Sequence, residues 1–218
     1  MEPNLRVAAV ILAAGSGSRL GGTAKALIRI DGVPLVRRQI DTLRAAGIAD
    51  ILVVTGQYHR AIAQVLAPTG VRLVHNPHAA RGQALSVRLG LQAVDTRADA
   101  VMVVLCDQPL LTPADLIDLI AAWSDQRAVD HDFMVPWVAG KGRGNPVLAS
   151  RRAVQSILAS GRYQALRDYM DAHPESILRL DTANDHYIVD IDRTQDLVDV
   201  AARLGCEVTL PALVGPKP

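Results

Sequence analysis

The sequence predicts an α/β sandwich of three layers built on a mainly parallel sheet, on three observations. Apolar runs rich in Val and Ile recur at 6–12, 50–56, 71–76 and 100–107. Their near-continuous hydrophobicity is that of strands covered on both faces. Between them, apolar residues fall at helical spacing, so strand and helix alternate and right-handed crossovers are expected. Directly after the first run comes "AAGSGSRLGGTAK", a stretch of small residues with glycines at 15, 17, 21 and 22.

In order, "RVAAVIL" (6–12) is the first strand, and Pro34 suits the first turn of a helix carrying Leu35, Ile40 and Leu43 up to Gly47. "DILVVTG" (50–56) and "VRLVHN" (71–76) are strands, separated by the helix "HRAIAQVLA" (59–67). The helix "ALSVRLGLQAV" (84–94) leads to the strand "AVMVVLCD" (100–107). "TPADLIDLIAAW" (112–123) is a helix with Thr112 as N-cap, Pro113 at the first position and Asp115 three residues past the cap. After Trp123 the pattern loosens. Two short strands around a glycine turn are expected in 132–150, then helices in "RAVQSILASG" and "YQALRDYMDAHP". "SILRLD" and "HYIVDID" are strand-like, and "TQDLVDVAARLG" is a helix stopped at Gly205. This organisation is one domain over 1–208 with a lid-like insertion around 132–170 and a tail, 209–218, without assignable pattern.

Composition narrows the function. With 218 residues, half of them hydrophobic and 21% charged, the chain is an ordinary globular protein. Lys and Arg number 23 against 22 Asp and Glu, so no global field draws it to nucleic acid or membrane, and any anion site is local. Aromatics at 3% leave little for stacking single-stranded bases. Two cysteines, Cys106 and Cys206, speak against a disulfide framework. No basic leader with a long apolar stretch is seen and no run reaches membrane-spanning length, so a cytoplasmic protein is expected.

The glycine stretch lies where α/β sheets bind ligands, at the carboxyl end of the first strand. Glycines let successive amides approach phosphate oxygens, and Arg19 and Lys25 are the only charges in it. A dinucleotide turn wants a helix at once and an acid or arginine closing the second strand; the second run here ends in Val54, Thr55 and Gly56. The phosphate loop of NTPases wants Lys directly after its last glycine, but Thr23 follows Gly22. Neither fits. Acidic partners follow later: Asp107 in "VVLCDQP" ends an apolar strand, and Asp190 and Asp192 in "YIVDIDRTQDL" would share one face of a strand. "NPHAARGQALSV" places Gly82 and Ser86 at the start of a helix, where backbone donors are free. His75 and His78 flank a loop proline without a ligand set and read as structural.

"LAAGSGSRLGGTAK", "DQP", "GKGRGNPVL" and the Asp-Ile-Asp together resemble the MobA-like nucleotidyltransferases of molybdenum cofactor synthesis, most of all the cytidylyltransferases. That resemblance implies a Rossmann-like nucleotide-diphospho-sugar transferase fold of the GT-A type, with an NTP-binding half at 6–125 and an acceptor-binding, closing half at 126–204. It implies that Leu12, Ala13, Ala14, Gly15 and Gly17 wrap a nucleoside triphosphate. Arg19 would hold the β and γ phosphates and Lys25 the α phosphate, with Gly82 and Ser86 near the base. Mg²⁺ would be held by Asp107 and Asp192, with Asp190 second. Gly144, Asn145 and Pro146 would face a phosphate-bearing acceptor such as molybdopterin, with Lys141 and Arg143 nearby. Ala14, where guanylyl-transferring relatives tend to have Gly, favours CTP. The family's Gly-Asp-x-Gly-Ala-Arg is replaced by "ASGRYQALRDY" (159–169), and the usual Thr-Pro after the second acid by Arg193 and Thr194. GTP or a sugar phosphate therefore stays open. So does a different class, a non-catalytic nucleotide-binding maturation factor serving a molybdoenzyme or its chaperone.

Overall fold

The computed structural model describes residues 5–126, 131–160 and 166–211. β1 (Val7–Ala13) is followed by the glycine stretch, a short hairpin of β2 (Arg29–Ile30) and β3 (Val33–Pro34), and α1 (Leu35–Ala45). Then come β4 (Asp50–Thr55), α2 (His59–Leu66), β5 (Arg72–His75), α3 (Gln83–Ala93), β6 (Ala100–Leu105) and α4 (Pro113–Gln126). The later part supplies β7 (Phe133–Val138), β8 (Gly142–Arg143), β9 (Val147–Ser150), α5 (Arg151–Ala159), α6 (Leu166–Ala172), β10 (Ile177–Thr182), α7 (Thr194–Leu204) and β11 (Val208–Thr209).

The main sheet runs β10-β7-β9-β6-β1-β4-β5, with β8 appended to β7. β1 pairs in parallel with both β4 and β6, while β9 runs antiparallel between β6 and β7. Strand side chains alternate between two cores, which is the three-layer sandwich the apolar runs require. Ala9, Ile11 and Ala13 of β1 join Val36 and Ile40 of α1 and Leu119 of α4 on one face. Val10 and Leu12 join Val87 and Leu91 of α3 and Ile157 of α5 on the other. At Gly90 in α3 a Cβ would lie 2.4 Å from Val10 Cγ1, so glycine is what lets this helix reach the sheet.

Thr112 and Asp115 bond reciprocally at the start of α4: Asp115 Oδ2 accepts from Thr112 N at 2.8 Å, and Thr112 Oγ1 accepts from Asp115 N at 3.3 Å. This is the capping box the spacing predicts. Three expectations are corrected, and one feature is new. Pro34 closes β3 and caps α1 instead of entering its first turn. The stretch 132–170 is no lid, since Phe133–Val138 and Val147–Ser150 are strands inside the main sheet. "HYIVDID" is no strand: Asp185–Tyr187 is a 3-10 turn, and the chain through Asp192 is irregular. A three-stranded sheet β11-β2-β3 was not foreseen; it covers Ile28, Ile30, Leu35, Ile191 and Val200. The start of "YQALRDYMDAHP" and the end of the 209–218 tail lie outside the described residues.

Candidate functional site

After β5 the chain crosses back over β1 to form β6, so the sheet order reverses between β1 and β6. That switch point leaves a crevice at the carboxyl edge of the two strands. Leu12 pairs with Leu105 at this edge, which sets Ala14–Gly17 and Asp107 side by side.

The loop after β1 is a tight backbone cradle. Gly17 sits at φ +62° and its carbonyl accepts from Leu20 N at 2.8 Å and Gly22 N at 3.0 Å. A Cβ there would lie 1.8 Å from the Thr23 carbonyl oxygen, so no other residue closes this turn. Tyr58, just past β4, buttresses the cradle by donating its hydroxyl to the Gly22 and Ser16 carbonyls.

Lys25 begins the 3-10 turn Lys25–Leu27, and its Nζ donates to Asp107 Oδ2 at 2.7 Å and Asp192 Oδ1 at 2.5 Å. Arg19 Nη1 donates to Asp192 Oδ2 at 2.7 Å. The Lys25 side chain is 15% exposed and Asp107 21%, against 40% for Asp192 and 68% for Arg19, so the Lys25–Asp107 pair is the sheltered one. Burial pulls the Lys25 ammonium down, but Asp107 and Asp192 outweigh it and hold the group above its ordinary range. The hydrogen bond from Lys25 pushes Asp192 below the usual carboxylate range, against partial burial, with Arg19 adding to the effect. Asp190 goes the other way. Burial, then the charge of Asp107, raises it to about 6, and its Oδ1 is buried without a hydrogen-bond partner among the described residues.

Asp190 and Asp192 thus converge on Asp107 although no strand alternation places them there. Irregular backbone does it, pinned by Ile191 N donating to the Asp107 carbonyl at 3.0 Å. Arg193, and not Asp192, caps α7. Among the described residues no ready-made cage of three His, Cys, Asp or Glu side chains is present. The oxygen-only donors nevertheless suit a hard cation that binds through one or two carboxylates plus substrate phosphates. Cys106, beside Asp107, is buried and its thiol is pushed well up by burial and by that carboxylate, so it is no nucleophile.

A cavity of about 790 Å³ opens over this edge. Its wall includes Leu12, Ala13, Ala14, Gly15, Gly17, Arg19, Lys25, Gly82, Ser86, Asp107 and Asp192, all named from the sequence, but not Asp190. Gly82 precedes α3 at φ +117°, and Ser86, buried, accepts from Asn76 Nδ2 at 2.9 Å. The charges gather through the ion pairs of Arg19, Lys25, Asp107 and Asp192. The wall also carries Gln57, Pro77, Ala79, Gln83 and His75, which sequence reasoning missed as lining. His75, read as structural, does stack its ring on His59 with centroids 4.6 Å apart, and His59 Nδ1 bonds Thr55 Oγ1 at 2.7 Å; it also lines the cavity. Position just beyond the carboxyl end of β4 was the available signal for Gln57, and position at the carboxyl end of β5 for His75. Gly144, Asn145 and Pro146 are not part of this wall. Asn145 N donates to the Tyr187 carbonyl at 2.8 Å, and a Cβ on Gly144 would press on Tyr187, so this turn packs against the segment leading to the acids. Arg143 is engaged with Asp171 at 2.5 Å.

A switch-point crevice with a glycine cradle, two cations and converging carboxylates defines the nucleotidyltransferase class. The MobA-like NTP transferase domain model matches residues 9–177, and the chain belongs to that family. It is 29% identical over 174 residues to the bifunctional protein GlmU of Sorangium cellulosum, covering 77% of this chain and 35% of that protein. It is 40% identical over 120 residues to the 2-C-methyl-D-erythritol 4-phosphate cytidylyltransferase of Frankia casuarinae, covering 54% of this chain and 43% of that protein. These matches span well under two thirds of either relative. The crystal structure of Rv0371c from Mycobacterium tuberculosis H37Rv superposes with a TM-score of 0.74 at 24% identity, covering 91% of this chain and 98% of that one. Among the described residues no helix is long and apolar enough to cross a membrane.

Proposed function

We propose that the protein transfers a nucleoside monophosphate from an NTP, CTP in first place, to a phosphate-bearing acceptor of the molybdopterin type, releasing pyrophosphate. The observation that carries this reading is Lys25 held between Asp107 and Asp192 at the mouth of the glycine cradle. Phosphoryl-type displacement depends on placed cations more than on covalent help from the protein. The amides of the cradle and Arg19 take the β and γ phosphates, and Lys25 turns from its carboxylates to the α phosphate. Asp107 and Asp192, with Asp190 beside them, would hold Mg²⁺, which would supply charge neutralisation on the triphosphate. An oxygen of the acceptor phosphate attacks the α phosphorus, a new P–O bond forms, and the bond to the β phosphate breaks with its electron pair leaving on pyrophosphate. The acceptor is already ionised near neutral pH, so no general base is required. In this reading Gly82 and Ser86 serve the nucleoside side, and Gly144–Pro146, outside the cavity wall, would meet the acceptor beyond it. Ala14 favours the smaller base, and the name of the Frankia casuarinae relative agrees.

The test is pyrophosphate release with each NTP against molybdopterin and common sugar phosphates. Turnover with CTP and molybdopterin alone supports the reading. Turnover with GTP or a sugar phosphate changes the substrate and keeps the chemistry, and NTP binding without any turnover overturns it in favour of a maturation factor.

A further inference from the structure

A second polar cluster lies around Asp115 in the first turn of α4. Asp115 is 5% exposed, and its carboxylate accepts four hydrogen bonds: from Thr112 N and Oγ1, both at 2.8 Å, from Asn184 Nδ2 at 2.6 Å and from His186 Nδ1 at 2.9 Å. Its main-chain carbonyl accepts the Tyr187 hydroxyl at 2.8 Å. Capping of α4 needs only the bonds to Thr112. The other three reach 69 to 72 residues along the chain and fasten the turn Asp185–Tyr187.

That turn leads directly into the acids. The Tyr187 carbonyl accepts from Gln108 Nε2 at 2.9 Å, and Gln108, fully buried, is the neighbour of Asp107. Ile191 N closes back onto the Asp107 carbonyl. The stretch between carries no helix or strand of its own, so its course is set by these points of attachment. A buried carboxylate stripped of its donors is costly, which makes the Asp115 attachment a firm one. We propose that Asp115 and His186 form an anchoring pair that positions Asp190 and Asp192 against Lys25 and Asp107. They touch neither nucleotide nor acceptor and act as positioning residues, and their effect on turnover rests on the transferase reading above.

The test compares His186→Ala, His186→Asn and Asp115→Asn with the wild type. His186→Ala leaves the capping box intact, so its fold survives, and the amide nitrogen of His186→Asn comes close to the place of Nδ1. Hydrogen exchange of peptides spanning 188–193 in the ligand-free protein is read against peptides of the glycine cradle, alongside kcat and KM for the NTP. In His186→Ala, exchange over 188–193 accelerates while the cradle is unchanged, and kcat falls roughly 10- to 100-fold, the range for residues that orient a metal's ligands. KM for the NTP moves less than about twofold. His186→Asn restores most of both readouts, and Asp115→Asn loses at least as much as His186→Ala. Unchanged exchange over 188–193, a mere fall in melting temperature at normal kcat, or equal loss in His186→Asn would overturn the anchoring role. A wild type that releases no pyrophosphate from any NTP sinks the transferase reading instead, while the exchange comparison still decides the anchor.

Discussion

Replacing Lys25 by Met tests the centre of the site, because one ammonium serves two purposes there. In the free protein it neutralises Asp107 and Asp192 from 2.7 and 2.5 Å. In the proposed transfer it turns to meet charge on the α phosphate. Loss of one preorganised charge lowers kcat by roughly 10²- to 10³-fold. The effect on metal runs the other way. A unit charge pair about 4 Å apart is worth about 1 kcal/mol in water and about 4 at an effective dielectric of 20, and a divalent ion doubles both figures. The carboxylates are 21% and 40% exposed, so the lower end applies. Removing the ammonium then relieves about 2 kcal/mol of repulsion and tightens Mn²⁺ binding without nucleotide roughly 30-fold. Steady-state pyrophosphate release and electron paramagnetic resonance titration of Mn²⁺ measure the two effects. Lys25→Met with wild-type turnover, or with unchanged Mn²⁺ affinity, refutes the reasoning.

Asp107→Ala is expected to lower turnover at least roughly 10²-fold with the circular dichroism spectrum unchanged, since it removes the carboxylate proposed to hold the metal. Gly17→Ala puts a Cβ onto the Thr23 carbonyl at positive φ; a cost above about 2 kcal/mol lowers the melting temperature by more than about 4 °C and abolishes NTP binding in calorimetry. His75→Ala removes a ring from the cavity wall and raises KM for the NTP roughly fivefold, about 1 kcal/mol of ring contact, with kcat intact. Burial, then the charge of His75, holds His59 below the ordinary histidine value of 6.5, so this group's stabilising effect is full above that value and is lost as pH falls through the lower folded one. Urea melts between pH 7 and 5 should show that decline, flattened in His75→Asn.

Much of this was legible in the sequence because it is local. β1, β4 and β6 announce themselves by unbroken apolar runs, and the cradle by glycines that only a close backbone turn requires. Asp107 was readable because it ends such a run. The remainder depends on contacts remote in sequence. Val-Asp-Ile-Asp alternates like a strand, yet Ile191 is buried under the small sheet and the acids swing towards Lys25 on irregular backbone. Two-residue strands such as β2 and β11 leave no periodicity to read. His75 carries no motif, and only the stacking of α2 against the end of β5 turns its ring into cavity wall. Phe133–Val138 and Val147–Ser150 were readable as two strands about a glycine turn, but the insertion of β9 between β7 and β6 of the main sheet was not.

The pairing of β11 with β2 has a consequence for biosynthesis. Val208 lies opposite Ile30, and Asp31 and Glu207 exchange two hydrogen bonds at 2.9 and 3.0 Å, just beyond the turn that carries Lys25. On the ribosome, the nascent chain therefore lacks this brace until β11 has emerged, long after the cradle has been made.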